Sequence, residues 1–211
     1  VSSKSKVPAE LDFLTSLEQG EVVTQVRLSK RIAVSVGLIN ALLKRAMHKG
    51  YVKAKSAPYK RYAYYLTPKG FAEKSRLVAE YLEVSLAFFR KARLEYGEQF
   101  ARAHAIGARR LVLVGIGELA EIALLAAREA DVDVAFVLDR ETNKERFHGV
   151  PIARSVGQLS QIDAVVITDS RSPQEAFDAM RKYFAEEKIF APDLLRITRA
   201  PLDFKPKVAR A

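Results

Sequence analysis

Two groups of residues in this chain have types and spacings that could do chemistry. Gly115-Ile116-Gly117-Glu118-Leu119-Ala120 follows the apolar run LVLV, and Asp139 stands 24 residues after Gly115. Glycines in such a turn let a phosphate approach a helix N-terminus, and an acid ending the next strand can take ribose hydroxyls. The second group is electrostatic: from Val22 to Ala72 there are eleven Lys or Arg residues and no Asp or Glu. Basic charge spread this way suits a nucleic-acid duplex, because each neutralised phosphate releases condensed counterions. A solvated basic face with no partner is the alternative.

Of the 211 residues, 1–106 hold 19 basic and 9 acidic side chains, and 107–211 hold 16 of each. All of the net charge of +10 therefore belongs to the first half, which implies two modules with different partners. The chain has no cysteine, which excludes disulfides, thiolate metal sites, cysteine nucleophiles and thiol redox sensing. His48, His104 and His148 are too far apart in sequence for a helical zinc pair, so no metal is expected. No apolar run reaches the roughly 20 residues of a membrane span and no signal peptide is visible, so a cytoplasmic protein with no membrane partner is expected. Val1 need not be the native start.

Positioning the basic group requires a helix-turn-helix and a hairpin. Residues 9–19 place Leu11, Leu14 and Leu17 on one helical face, with Gly20 able to end it. Thr24 can cap a second helix with Val26, Leu28 and Ile32 inward, and Ala33–Val34 makes the turn. Ser35 caps a third helix, Val36–Lys49, whose Ile39, Leu42, Leu43, Ala46 and Met47 recur at core spacing before Gly50. Its other face carries Gly37, Asn40, Ala41, Lys44 and His48, with Arg45 at the edge. A small residue allows close approach to a major groove, an amide can read adenine, and Lys or Arg can reach guanine or phosphate. Asn40 is either a base reader or an ordinary surface amide. Tyr51–Lys55 and Arg61–Leu66 read as two strands joined by Ser56–Lys60. Lys53, Lys55, Lys60 and Arg61 then line a wing beside the recognition helix. The wing tyrosines read as sheet and core residues, with single-strand stacking a minor alternative.

The segments SVGLINALLKRAMHKGYVKAK and KRYAYYLTPKGFAEKSRLVAEYL make Leu11–Glu80 similar to MarR-type winged-helix regulators. The LTPKG turn followed by FAEKSRL is the more specific part, and the nearest group is the one associated with exopolysaccharide gene clusters. The resemblance spans about seventy residues, a third of the chain. It implies transcriptional control and a homodimer.

Thr67-Pro68 is a good cap and first helical residue, and the helical pattern then runs to about Ala105. Phe71, Leu77, Val78, Tyr81, Leu82, Leu86, Phe89 and Leu94 mark it, and only Gly97 weakens it. At 1.5 Å per residue such a helix is roughly 57 Å long and needs another surface for its apolar side. That surface is either the chain's own second half or a second copy.

In the second half, strand, glycine turn, helix to Arg128 and strand Val132–Leu138 precede Asp139. Glu118 beside the phosphate position would repel a diphosphate unless it turns outward. Gly149–Ile152 leads to a short helix near Ser155–Leu159, and Asp163–Thr168 is a buried strand ending at Asp169. Ser172-Pro173-Gln174-Glu175 reads as a capping box opening a helix to about Ala185, and Lys188–Phe190 as a last strand. This predicts an α/β architecture: a winged helix-turn-helix over 1–70, a connecting helix over 71–107, a small Rossmann-like parallel sheet over 108–200, and a loosely ordered basic tail over 201–211. Candidate nucleotide ligands are Gly115, Ile116, Gly117, Glu118, Leu119, Asp139, Arg140, Thr168 and Asp169.

LVLVGIGELAEIAL, VAFVLD, HGVPIARSVGQL and DAVVITD make this half similar to the nucleotide-sugar-binding N-terminal domain of sugar O- and N-acyltransferases, over about ninety residues. The resemblance implies that the glycine loop and Asp139 hold a UDP-sugar. The left-handed hexapeptide helix that performs acyl transfer is absent. Winged helix plus Rossmann-like domain is also the arrangement of redox-sensing repressors that bind NADH, without their sequence pattern. The expectation is a DNA-binding regulator that senses a nucleotide or nucleotide-sugar, with no catalytic residues. A Rossmann-like half serving only for dimerisation is the alternative, and a nucleotide-dependent enzyme the lesser one.

Overall fold

Caps and turns set the first elements. The computed structural model describes residues 6–18, 24–57, 61–130, 132–159 and 161–199. Gly20, Lys60 and the 201–211 tail lie outside these. Helices α1 (Lys6–Ser16), α2 (Gln25–Arg31) and α3 (Val36–His48) precede an antiparallel hairpin, β1 (Val52–Ala57) and β2 (Arg61–Leu66). The Thr24 hydroxyl accepts from Arg27 N at 3.3 Å and that of Ser35 from Leu38 N at 3.2 Å, so both predicted caps form. Ala33, between α2 and α3, adopts φ +53°.

Phe13, Leu14, Leu17, Leu28, Ile39, Leu42, Leu43, Ala46, Val52, Tyr64, Leu66 and Leu77 form one core. Three expectations need correction. α1 starts three residues earlier than predicted and ends at Ser16, and Leu11 only borders the core, which is led by Phe13. Val26 is 52% exposed, because the seven-residue α2 buries a single column through Leu28. Met47 is 40% exposed. At 100° per residue it lies roughly 90° from the centre of the stripe made by Ile39, Leu42, Leu43 and Ala46, so it falls off the edge.

Helix α4 (Pro68–Ala105) has the predicted bounds and runs unbroken for 38 residues through Gly97, where the sequence leaves a single break open. The chain divides into two compact units between Ala87 and Phe88, inside this helix. Leu77 belongs to the first core, and Ala92, Tyr96, Phe100 and Ala103 to the second. Between them Val78, Tyr81, Leu82, Val84, Leu86 and Phe88 are exposed.

The second unit is a six-stranded sheet built from β3 (Arg110–Val114), β4 (Asp133–Leu138), β5 (Arg146–Phe147), β6 (Val150–Ala153), β7 (Ala164–Ile167) and β8 (Ile189–Phe190). The spatial order is β5-β6-β4-β3-β7-β8, parallel except for the β5–β6 edge hairpin, which turns through His148 and Gly149 at positive φ. The buried runs of β3 and β7 are those of strands covered on both faces. Helix α5 (Glu118–Glu129) follows β3 and α6 (Pro173–Met180) follows β7. α6 is shorter than predicted: after Met180 the backbone tightens, with Tyr183 N and Phe184 N both donating to Met180 O at 2.9 Å. The expected capping box does not form, since Ser172 makes no side-chain cap. Asp169 Oδ1 instead accepts from Arg171 N at 2.7 Å and Ser172 N at 3.0 Å. The short helix near Ser155–Leu159 is a single 3-10 turn, Val156–Gln158.

Candidate nucleic-acid face and nucleotide crevice

Because α3 buries Ile39, Leu42, Leu43 and Ala46, its opposite side is turned to solvent. Gly37, Ala41, Lys44, Arg45 and His48 are exposed there and Asn40 is half-buried. A Cβ on Gly37 would meet only Ser35 Oγ, at 4.0 Å, so the helix start presents a flat approach. The side chains of Lys44 and His48 make no hydrogen bond or ion pair among the described residues, whereas Arg45 lies 3.8 Å from Glu10 of α1. Lys53 and Lys55 are exposed and share one hairpin face with Tyr65 and Ala63 through the pairs Lys53↔Tyr65 and Lys55↔Ala63. Tyr64 enters the core while Tyr62 and Tyr65 stay exposed, so only part of the tyrosine expectation holds. Arg61 begins β2.

The LTPKG turn holds this face together, a role the sequence reading missed. Thr67 Oγ1 donates to Gly50 O at 2.6 Å and accepts from Gly70 N at 3.0 Å, and Thr67 N donates to Tyr51 O at 2.9 Å. A Cβ on Gly70 would sit 2.1 Å from Tyr51 O, so only glycine permits this approach. One turn thus joins the end of α3, the start of β1 and the start of α4. The cap itself is the one that Thr67-Pro68 predicts, and only the long-range bond to Gly50 lies beyond the sequence.

In the second unit, the carboxyl ends of β3, β4 and β7 surround a cavity of about 430 Å³, where the chain passes from β4 on one side of β3 to β7 on the other. Such a switch point is where doubly wound sheets hold ligands. Of the predicted ligands, Gly115, Ile116, Asp139, Arg140 and Asp169 line it. Gly115 adopts φ +101°, and a Cβ there would lie 2.7 Å from the Asp169 backbone, so the loop closes tightly on the end of β7. Gly117, at φ +138°, caps α5 with open space around it, and Glu118 is exposed; neither lines the cavity.

The other two predicted ligands face elsewhere. Leu119 is buried in the core. Thr168 is 1% exposed and its hydroxyl donates to the backbone at Val114 O and Gly115 O. Asp139 is already engaged: it accepts from Ile116 N at 3.4 Å, Glu141 N at 3.0 Å and Thr142 N at 2.9 Å. The sequence reading missed Glu141, Arg171 and Ser172, from the loops after β4 and β7, and Glu175 of α6, which also line it. Arg171 lies 3.7 Å from Glu141 across the mouth. Four carboxylates against two guanidiniums make the crevice better suited to hydroxyl-rich groups than to a bare diphosphate.

Among the described residues no helix is long and apolar enough to cross a membrane, and no cluster of three or more His, Asp or Glu could hold a metal.

No family model matches the chain. A 4-hydroxy-tetrahydrodipicolinate reductase from Streptococcus uberis is 34% identical over 85 residues, which are 39% of this chain and 32% of that protein. The chain thus spans about a third of the length of this curated relative. MepR, a transcription regulator of the Staphylococcus aureus multidrug efflux pump MepA, aligns over 38% of this chain and 61% of its own, at 17% identity and TM-score 0.33. MarR from E. coli aligns over 33% of this chain and 53% of its own, at 27% identity and TM-score 0.30. Human N-acetylserotonin methyltransferase aligns over 78% of this chain and 66% of its own, at 12% identity and TM-score 0.31. From its own geometry, the chain carries a winged helix-turn-helix followed by a Rossmann-like α/β unit.

Proposed function

We propose that this chain is a cytoplasmic, homodimeric transcriptional regulator of polysaccharide genes that binds double-stranded DNA and senses a nucleotide or nucleotide-sugar. The observation that carries the DNA reading is the outward face of α3, where Lys44 and His48 stand unengaged beside Asn40, on the same unit as the exposed Lys53 and Lys55. An acid-free basic face on a helix-turn-helix fits phosphate neutralisation and groove readout. The exposed apolar residues between Val78 and Phe88 on α4 support a helix covered by a second copy, which matches DNA sites of two-fold symmetry.

The crevice at Gly115 and Asp139 supports the effector, a UDP-sugar before NAD(H). Its carboxylates suit sugar hydroxyls, and Glu118, exposed and outside the lining, is not among them. The partial likeness to a reductase, an enzyme class that needs an electron donor, keeps NAD(H) in the reading. Effector can control DNA binding only by unequal affinity for two dimer geometries. A second reading, a Rossmann-like unit used only for dimerisation, is favoured by Asp139, whose carboxylate is already held by Ile116 N.

Fluorescence anisotropy on the chain's own upstream DNA, with excess random duplex, separates these readings. Binding that survives competitor and shifts with a UDP-sugar or NAD(H) is expected. Binding that competitor abolishes would remove the operator claim, and binding indifferent to every nucleotide would leave the dimerisation reading.

A further inference from the structure

The second unit contains another cavity of about 430 Å³, apart from the glycine crevice and lined by none of its residues. It lies between α4 and the segment that follows β8. Gln99 and Arg102 face it from α4, one turn apart, and Arg196 and Arg199 face it from the segment after the 3-10 turn Asp193–Leu195. Glu187 and Asp193 complete its charged lining, so three guanidiniums outnumber two carboxylates.

Gln99 is the unusual member. It is 2% exposed, and its Oε1 is buried with no hydrogen-bond partner among the described residues. A buried amide oxygen left unpaired is destabilising, and native proteins tolerate it where a ligand, ion or water completes it. The guanidiniums of Arg102 and Arg196 likewise make no ion pair or hydrogen bond among the described residues. Arg196 is held in the left-handed region at φ +51°, a conformation that costs a non-glycine residue energy and recurs where a side chain must be aimed. Arg199 is positioned differently: its guanidinium stacks 5.5 Å over the Phe177 ring and reaches Ile189 O at 3.4 Å. Phe190 and Ile197 supply apolar wall.

We propose that this cavity is a binding site for a small hydroxylated organic phosphate. The phosphate oxygens pair with Arg102, Arg196 and Arg199, whose planar donors suit an oxyanion. A ring hydroxyl of the ligand donates to Gln99 Oε1 while the arginines hold its phosphate, and inorganic phosphate seated on the arginines has no second hydroxylated part to do so. At about 430 Å³ the cavity is large enough for a phosphorylated monosaccharide.

The test uses the full chain, with glucose 6-phosphate as probe and inorganic phosphate and glucose as controls, read by calorimetry and thermal unfolding. Glucose 6-phosphate should bind and raise the unfolding midpoint, more than inorganic phosphate and far more than glucose. Arg102→Gln and Arg196→Gln should each weaken it about tenfold or more, while Lys182→Gln, a surface cation outside the lining, should not. Gln99→Leu should make the unliganded chain more stable, by removing the unpaired amide, and abolish the preference for glucose 6-phosphate over inorganic phosphate. The Gln99 side-chain amide resonances of labelled protein should shift on titration. Absence of any midpoint shift with glucose 6-phosphate overturns the proposal. So does binding of equal strength in the arginine variants, or Gln99 resonances that stay still at saturation.

Discussion

The Thr67 hydroxyl donates to the Gly50 carbonyl at 2.6 Å, tying the start of α4 to the glycine just beyond α3. Gly50 is itself at φ +72°, and Thr67 N holds the adjoining Tyr51 carbonyl. The hairpin and α3 are therefore joined through this turn at their Gly50–Tyr51 end.

Loosening that turn should loosen the DNA face. Thr67→Val removes the hydroxyl and leaves the buried Gly70 N and the part-buried Gly50 O without it, at a cost of about 1–3 kcal/mol. Gly70→Ala places a methyl against the Tyr51 carbonyl and should cost as much or more. Thermal melts and DNA anisotropy of both variants check this. Unchanged stability in Gly70→Ala would show that the approach of α4 to β1 is not tight.

Salt dependence should report which cations touch phosphate. Replacing Lys44, Lys53 or Lys55 by Gln should each reduce the slope of log affinity against log salt by about 0.9. Arg45→Gln should reduce it less, because Arg45 is shared with Glu10. Four variants with one common slope would remove the contact assignments made here.

The two crevice glycines should behave differently. Gly115→Ala collides with the Asp169 backbone at 2.7 Å and should destabilise the second unit. Gly117→Ala meets nothing within 4 Å and suffers only from its φ of +138°, so the fold should survive while nucleotide binding falls. Circular dichroism melts together with nucleotide titration separate the two effects. Full nucleotide response in Gly117→Ala would argue against the glycine loop as the binding element.

Acid should weaken the second unit through Asp163. Its Oδ2 accepts from Arg109 N and Arg110 N, both at 2.9 Å, and these bonds hold its carboxyl below the ordinary carboxylate range. A group lowered on folding stabilises above its unfolded pKa, near 4, and that stability is lost as pH falls through the lower folded value. Asp163→Asn should therefore flatten the acid limb of a melting-temperature profile below about pH 4. The limb should be unchanged near neutrality apart from a constant offset.

Local features were legible in the sequence because local chemistry decides them. Thr24, Ser35 and Pro68 mark helix starts by side-chain and ring geometry alone, and α4 follows from 38 residues without a strong breaker. The glycine turn and Asp139 were recognisable for the same reason: strand, turn and helix are contiguous there. The contributions of Glu141 and Arg171 from loops and of Glu175 from α6 were not, because β4 and β7 flank β3 only once the sheet has assembled.

By itself, then, the sequence determined the two modules, the order of their elements, the basic face and the glycine loop, all governed by contacts within a few residues. Tertiary structure alone decided that Thr67 reaches Gly50, that Asp139 is taken by Ile116 N, that Thr168 turns its hydroxyl to the backbone, and that Gln99 is buried unpaired beside three arginines. These depend on which distant segments pack together, and burial is a property of the assembled core rather than of any residue's neighbours in the chain.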